Sequence, residues 1–209
     1  LVLYQNHIEI LNQNIFHEAI NLIYLNVNKN KVKKIENQLF CNLTKLRTLD
    51  LSENEINTIE ENSFYYLTNL KILNLNMNNI ETIYSYMFRN LINLEEVFLE
   101  QNPIKSIEKY GFNYLFNLRK MIKLSHLNIK YIEGFSFNNL KNVIYMDLDN
   151  NNIEILNNDT FYSMNSLSSL NFMKNRISKI ELYSFRSLEN LKQLDLSFNK
   201  ISKIPIGLF

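Results

Sequence analysis

The stretch Leu46-Arg47-Thr48-Leu49-Asp50-Leu51-Ser52-Glu53-Asn54-Glu55-Ile56-Asn57-Thr58-Ile59-Glu60-Glu61-Asn62-Ser63-Phe64-Tyr65-Tyr66-Leu67-Thr68-Asn69 is followed, from Leu70, by the same order of apolar and polar positions. The pattern extends in both directions. Phenylalanine stands at 16, 40, 64, 88, 112, 137, 161, 185 and 209, with steps of 24 residues except for one of 25. Asparagine recurs at 6, 30, 54, 78, 102, 151, 175 and 199. Apolar triplets precede each asparagine, as in Leu22, Leu25, Val27 and Leu70, Leu73, Leu75. Apolar residues also sit two and five positions after it, as in Ile56 and Ile59 or Ile153 and Leu156. The unit is LxxLxLxxNxIxxIxxxxFxxLxx. Self-similarity at a fixed period marks a stacked repeat architecture.

The LxL segment places two apolar residues on one face of a strand. One such strand cannot bury that face alone, whereas stacked copies pair into a parallel sheet with strands about 4.8 Å apart. Leu, Ile and the phenylalanine column then line a continuous interior. After each strand the chain turns inward and leaves backbone groups that no strand can pair. A buried asparagine amide offers both a donor and an acceptor, so a ladder of them satisfies those groups coil by coil. Each unit buries around seven large apolar side chains, worth roughly 1.5–3 kcal/mol apiece before chain entropy.

These columns resemble the leucine-rich repeat in its 24-residue form, typical of animal extracellular proteins. The segment Ile204-Pro205-Ile206-Gly207-Leu208-Phe209 resembles that form's LPxGLF element. The resemblance implies an α/β repeat solenoid: a curved horseshoe with a parallel concave β-sheet and a mostly irregular or short-helical convex side. It covers residues 1–209 as one array of about nine units, the first (1–21) partial and the last (191–209) incomplete. Terminal caps are missing from the pattern, and the expectation is a fragment of a longer protein. The implied function is macromolecular recognition, similar to the ectodomains of Toll-like receptors or Slit-like proteins, with a protein ligand on the concave face and an extracellular or cell-surface location. An intracellular scaffold, motivated by the single cysteine, and the recognition part of a larger enzyme are the alternatives.

Twenty-two basic residues face 21 acidic ones, a net charge of +1, so no electrostatic footprint for nucleic acid is present. No run of 18 apolar residues predicts a membrane span, and Leu1 to Ile10 do not form a signal peptide. The lone Cys41 cannot form an internal disulfide and is expected to serve as a small hydrophobe. One alanine, three glycines and two prolines stand against 36 asparagines, a bias that fits an AT-rich coding sequence and inflates asparagine motifs. His7, His17 and His126 lie in different units without a matched nucleophile or metal-ligand spacing, and Gly111, Gly134 and Gly207 are isolated. Catalytic, metal and cofactor residues are therefore not expected. The basic run Lys29, Lys31, Lys33, Lys34 is expected to be a solvated face of the convex side.

Strand residues between the leucines point outward, onto the concave face. Read in register, they place Phe98 near the middle of the arc, flanked by Glu96 and Glu100, beside Lys120 and Lys123 and then Tyr145, Asp147 and Asp149. An exposed aromatic ringed by charges has the makeup of a binding hot spot. One unit departs from the period. Leu118-Arg119-Lys120-Met121-Ile122-Lys123-Leu124 carries an extra residue, and Leu127 stands where asparagine is expected. This predicts a bulge at Met121–Lys123 and a missing rung in the ladder. Two sequons, Asn42-Leu43-Thr44 and Asn158-Asp159-Thr160, mark weak glycosylation positions, fewer than the asparagine content gives by chance.

Overall fold

The computed structural model describes residues 1–208, Lys120 without its side chain; Phe209, the last member of the phenylalanine column, lies outside the described residues. Each coil after the first contributes one strand to a concave sheet, the first being joined to it by a single bridge from Val2 to Asn26, and most contribute a two-residue strand to the convex side. In chain order the strands are β1 (Tyr24–Asn26), β2 (Lys34–Ile35), β3 (Thr48–Asp50), β4 (Thr58–Ile59), β5 (Ile72–Asn74), β6 (Thr82–Ile83), β7 (Glu96–Phe98) and β8 (Ser106–Ile107). They continue as β9 (Lys120–Lys123), β10 (Tyr131–Ile132), β11 (Val143–Asp147), β12 (Ile155–Leu156), β13 (Ser169–Asn171), β14 (Lys179–Ile180) and β15 (Gln193–Asp195).

The odd-numbered strands pair in parallel with the leucine columns in register: Leu25, Leu49, Leu73 and Val97 face one another, as do Ile122, Met146, Leu170 and Leu194. The convex side is irregular as expected, but its ordered parts are strands, not short helices, among the described residues. The β-branched residues at its inward positions, such as Ile35, Ile59 and Ile83, favour extended backbone, and two residues are too few for a helical turn.

The phenylalanine column fills the convex half of the interior. Rings stack from coil to coil, with centroids 5.7 Å apart for Phe16 and Phe40, 6.1 Å for Phe40 and Phe64, 5.4 Å for Phe88 and Phe112, and 5.5 Å for Phe112 and Phe137. Phe64 and Phe88 are both buried. The asparagine ladder forms as the repeat required. Asn54 accepts the Val32 N–H on Oδ1 at 3.0 Å and donates through Nδ2 to the carbonyls of Val27 and Leu51 at 3.0 and 3.1 Å. The residue before each ladder position, including the one occupied by Leu127, is left-handed. Gln5, Lys29, Glu53, Met77, Gln101, His126, Asn150, Lys174 and Phe198 have φ between 49° and 58°, and none of them is glycine.

The irregular unit alters more than one bulge. The register slips where Val143 faces Lys120 and Tyr145 faces Met121, beginning one residue before the predicted segment. The concave sheet divides there into β1-β3-β5-β7 and β9-β11-β13-β15. The Cα atoms of β7 and β9 stand for the most part more than 8 Å apart. The missing rung is real as well: Leu127 is buried at the asparagine position, and among the described residues no hydrogen bond reaches the buried Ile104 N–H.

Candidate binding face

The outward column between the second and third leucine is built of Asn and Asp for a local reason. In six coils its side chain accepts the N–H two residues on. These bonds are Asn28 N–H to Asn26 at 2.8 Å, Ser52 to Asp50 at 3.0 Å, Asn76 to Asn74 at 3.1 Å, Asp149 to Asp147 at 3.2 Å, Met173 to Asn171 at 2.9 Å and Ser197 to Asp195 at 2.8 Å. This is the Asx turn, in which a short polar side chain replaces a backbone acceptor. Most of the polar concave column is thereby committed to its own strand ends.

Phe98 and Lys123 break the column on the two sides of the sheet division. Phe98 has no acceptor to offer, so the Glu100 N–H donates instead to Asn76 Oδ1 of the preceding coil at 2.7 Å. The Phe98 side chain is 36% exposed on the sheet, and Glu96 beside it is exposed. Glu100 is half-buried, with one carboxylate oxygen 3.9 Å from Lys123 Nζ and the other 3.5 Å from Asn76 Nδ2. A shallow groove opens beside this group, lined by Asn76, Met77, Glu100, Gln101, Ser125 and His126.

One predicted member is displaced. Lys120 pairs with Val143, and it is Met121 that stands in Tyr145's column, 48% exposed. The extra residue can be accommodated anywhere between Leu118 and Ile122, and a one-residue slip exchanges the faces of the strand. The face therefore presents Met121 where a cation was expected.

Tyr145, Asp147 and Asp149 are half-buried together on β11 and the turn after it. Burial pushes the Asp147 carboxyl above the usual carboxylate range, and the Asp149 charge adds to this, while hydrogen bonds from the Asp149 N–H and from Asn171 Nδ2 at 3.0 Å work the other way. Burial raises the Tyr145 hydroxyl too, with Asp147 contributing. An acid whose folded pKa is raised costs stability when ionised, a penalty present at neutral pH and lost as the pH falls through the folded pKa. Asp147→Asn keeps both acceptor contacts and removes the charge. It is expected to raise the Tm by a few degrees at pH 7 and by nothing near pH 3, as measured by thermal melts across that range.

The sequons fall in unlike settings. The Asn42 amide donates to His17 Nδ1 at 2.8 Å and to the His17 carbonyl at 3.1 Å, whereas Asn158 is exposed and the Thr160 hydroxyl is tied to the Asn157 carbonyl at 3.1 Å. The basic run on the convex side is paired by acids of the next coil, Lys29 with Glu53, Lys33 with Glu55 and Lys34 with Glu60. No group of three or more His, Cys, Asp or Glu side chains among the described residues is placed to hold a metal ion.

Parallel coils locked by an asparagine ladder and a phenylalanine spine define a leucine-rich-repeat solenoid. Three family models match the chain: the BspA type leucine rich repeat region over 2–119, leucine rich repeat over 117–177, and leucine rich repeats (2 copies) over 165–207. The chain belongs to the leucine-rich-repeat family. Among solved structures it is similar to Toll in the Drosophila Toll–Spatzle complex, glycosylated form, at 20% identity and a TM-score of 0.75 over 99% of this chain and 31% of that one. A second structure of that complex gives 18% and 0.75, covering 97% and 30%. TLR13 in its ssRNA13 complex gives 24% and 0.54, covering 95% and 36%. The chain thus spans about a third of the length of these proteins. No curated protein shows a significant sequence match to it.

Proposed function

We propose that this chain is a non-catalytic recognition module of an extracellular or cell-surface receptor that binds a protein through its concave face, around Phe98. The observation that carries this reading is the interrupted Asx column. Where the other coils turn a polar side chain back on the strand, the middle of the face presents an aromatic ring, with Met121, Lys123 and Tyr145 across the division. Aromatic and methionine side chains ringed by charge are what protein interface cores are enriched in. The carboxylates of Glu96, Glu100, Asp147 and Asp149 on the same face repel a phosphate backbone, which favours a protein ligand over the RNA held by TLR13 in one structural neighbour.

The test is affinity capture from extracellular fluid and from a membrane fraction of the source cells, with the native chain and with Phe98→Ala/Glu100→Lys. The expected result is a protein retained by the native chain and reduced at least about tenfold by the double variant, a loss of about 1.4 kcal/mol or more. Single-stranded RNA is run alongside. Unchanged capture by the variant removes the proposed hot spot, and tight RNA binding removes the preference for a protein. Sugar on Asn158 of the native protein would support the extracellular placement.

A further inference from the structure

We infer that the coil over 118–142 is a joint, at which the two halves of the concave sheet change their mutual angle and so adjust the curvature offered to a partner. The argument comes from a series of bonds that is complete everywhere else. Along the stack the residue at the third leucine position donates its N–H to the next coil: Leu3 to Asn26, Val27 to Asp50, Leu51 to Asn74, Leu75 to Phe98, Leu124 to Asp147, Leu148 to Asn171 and Phe172 to Asp195. Two residues on, a second series runs from Gln5 to Asn28, Lys29 to Ser52, Glu53 to Asn76, Met77 to Glu100, His126 to Asp149, Asn150 to Met173 and Lys174 to Ser197. Both series skip the same step. Among the described residues no hydrogen bond reaches the Leu99 or the Gln101 N–H, whose counterparts across the gap are the carbonyls of Lys123 and Ser125.

Three further links fail at the same place. Among the described residues no hydrogen bond runs from the Asn128 N–H to the Ile104 carbonyl, where Asn79 donates to Ile56 and Asn152 to Ile129 in other coils. Leu127 replaces the asparagine that would hold the Ile104 N–H. Strands β7 and β9 do not pair, and Val97, alone among the second-leucine residues of the interior coils, is only half-buried. An inter-coil bond typically contributes to stability, and a buried donor without a partner subtracts from it. The concave seam between these coils is therefore the weakest in the stack.

The convex seam is intact. β8 pairs with β10, the Lys130 N–H reaches the Lys105 carbonyl at 2.8 Å, the Glu133 N–H reaches Ile107 at 3.1 Å, and the rings of Phe112 and Phe137 stack at 5.5 Å. On the concave side the coils keep one backbone bond, from the Arg119 N–H to the Glu95 carbonyl at 2.9 Å, beside ion pairs of exposed or half-exposed side chains, Arg119 with Glu95 and Lys123 with Glu100. Knitted on one side and held on the other only at the strand starts, the two coils form a hinge with its axis on the convex side. Small sub-global openings of this kind follow the places where packing and hydrogen bonding are thinnest. Phe98 lies on one half and Met121 and Tyr145 on the other. If the concave face binds as proposed above, a partner touching both halves sets the angle.

The test is amide hydrogen exchange on the free chain. After correction for intrinsic rates, the Leu99 and Gln101 amides are expected to exchange at least about 30-fold faster than those of Leu75 and Met77, their counterparts one coil earlier. A repaired chain, with Lys120 deleted and Leu127→Asn, is expected to bring the four into line. In a Cys41→Ser background, labels at Lys45→Cys and Lys192→Cys read the distance between the halves, and the distribution is expected to narrow on repair. Should the repaired chain fail to fold, the native exchange pattern decides. Equal protection at all four amides of the native chain overturns the joint. These measurements need no partner, so a failure of the Phe98 hot spot leaves them standing and the reverse also holds.

Discussion

Replacing Phe40 by Ala is expected to cost about 3–5 kcal/mol of unfolding free energy. The ring is fully buried and stacks between Phe16 and Phe64 at 5.7 and 6.1 Å. Deleting it removes the transfer free energy of a large side chain and opens a cavity that the coils cannot close, because their spacing is fixed by sheet and ladder bonds on either side. Coils contact only their neighbours, so the loss falls on the coils around Phe16 to Phe64 and separates their melting from the rest. A urea titration followed by far-ultraviolet circular dichroism would show an earlier and broader transition. Phe98→Ala, at a ring on the surface of the sheet, supplies the contrast: the same change of side chain is expected to shift stability by less than about 0.5 kcal/mol. A Phe40→Ala loss below about 1 kcal/mol would mean that the phenylalanine spine does not hold the stack together.

The spine and the main asparagine ladder were legible because each has one residue type recurring at a single period, and burial leaves few substitutes for either. Other devices were hidden by that same composition. A second asparagine column donates to the preceding coil, Asn69 to the Thr44 carbonyl at 2.8 Å, Asn93 to Thr68 at 2.8 Å, Asn117 to Ile92 at 2.7 Å and Asn190 to Asn165 at 2.7 Å. Attributing surplus asparagine to base composition concealed this, although the residue before the first leucine repeats visibly. A carboxylate column does related work, with the Asn37 N–H on Glu60 at 2.7 Å and the Ser85 N–H on Glu108 at 3.0 Å. Glutamate suits solvent and cap alike, so the sequence does not separate the two uses.

The candidate site was legible in part. Phe98, Lys123, Tyr145, Asp147 and Asp149 stand on the concave side because the period alone places them there. The place expected of Lys120 falls to Met121, because an inserted residue leaves the local alignment to packing: Ile122 goes into the core and Met121 goes out. The division of the sheet was equally out of reach. A single extra residue predicts a bulge, which paired strands can absorb, whereas the combination with Leu127 also removes the ladder bond that would have held the neighbouring coils beside it.

Asn78→Ala is the second change with a large expected effect, about 2–4 kcal/mol, and it is electrostatic in origin where Phe40→Ala is not. The Asn78 amide accepts the Ile56 N–H at 2.9 Å and donates to the carbonyls of Leu51 and Leu75 at 3.0 and 3.1 Å, all in the dry interior between coils. Alanine leaves these groups without partners, and the vacated volume offers a water little room. Asn78→Asp separates this from simple loss of volume. Aspartate is nearly isosteric and still accepts from Ile56, but when ionised it faces two carbonyl oxygens with no proton to give. Its folded pKa must therefore rise above the unfolded value near 4. For an acid shifted upward, the penalty is full at pH above the folded pKa and is relieved as the carboxyl protonates and regains a donor. Asn78→Asp is expected to be at least as unstable as Asn78→Ala at pH 7 and to recover relative to it near pH 4, as measured by urea titrations at both values. If the aspartate variant were as stable as the native chain at pH 7, the carbonyl contacts would contribute nothing and the ladder would be a by-product of packing. The untouched Ile104 N–H opposite Leu127 shows the chain tolerating one such loss, at the one seam where neighbouring coils have also given up their sheet bonds.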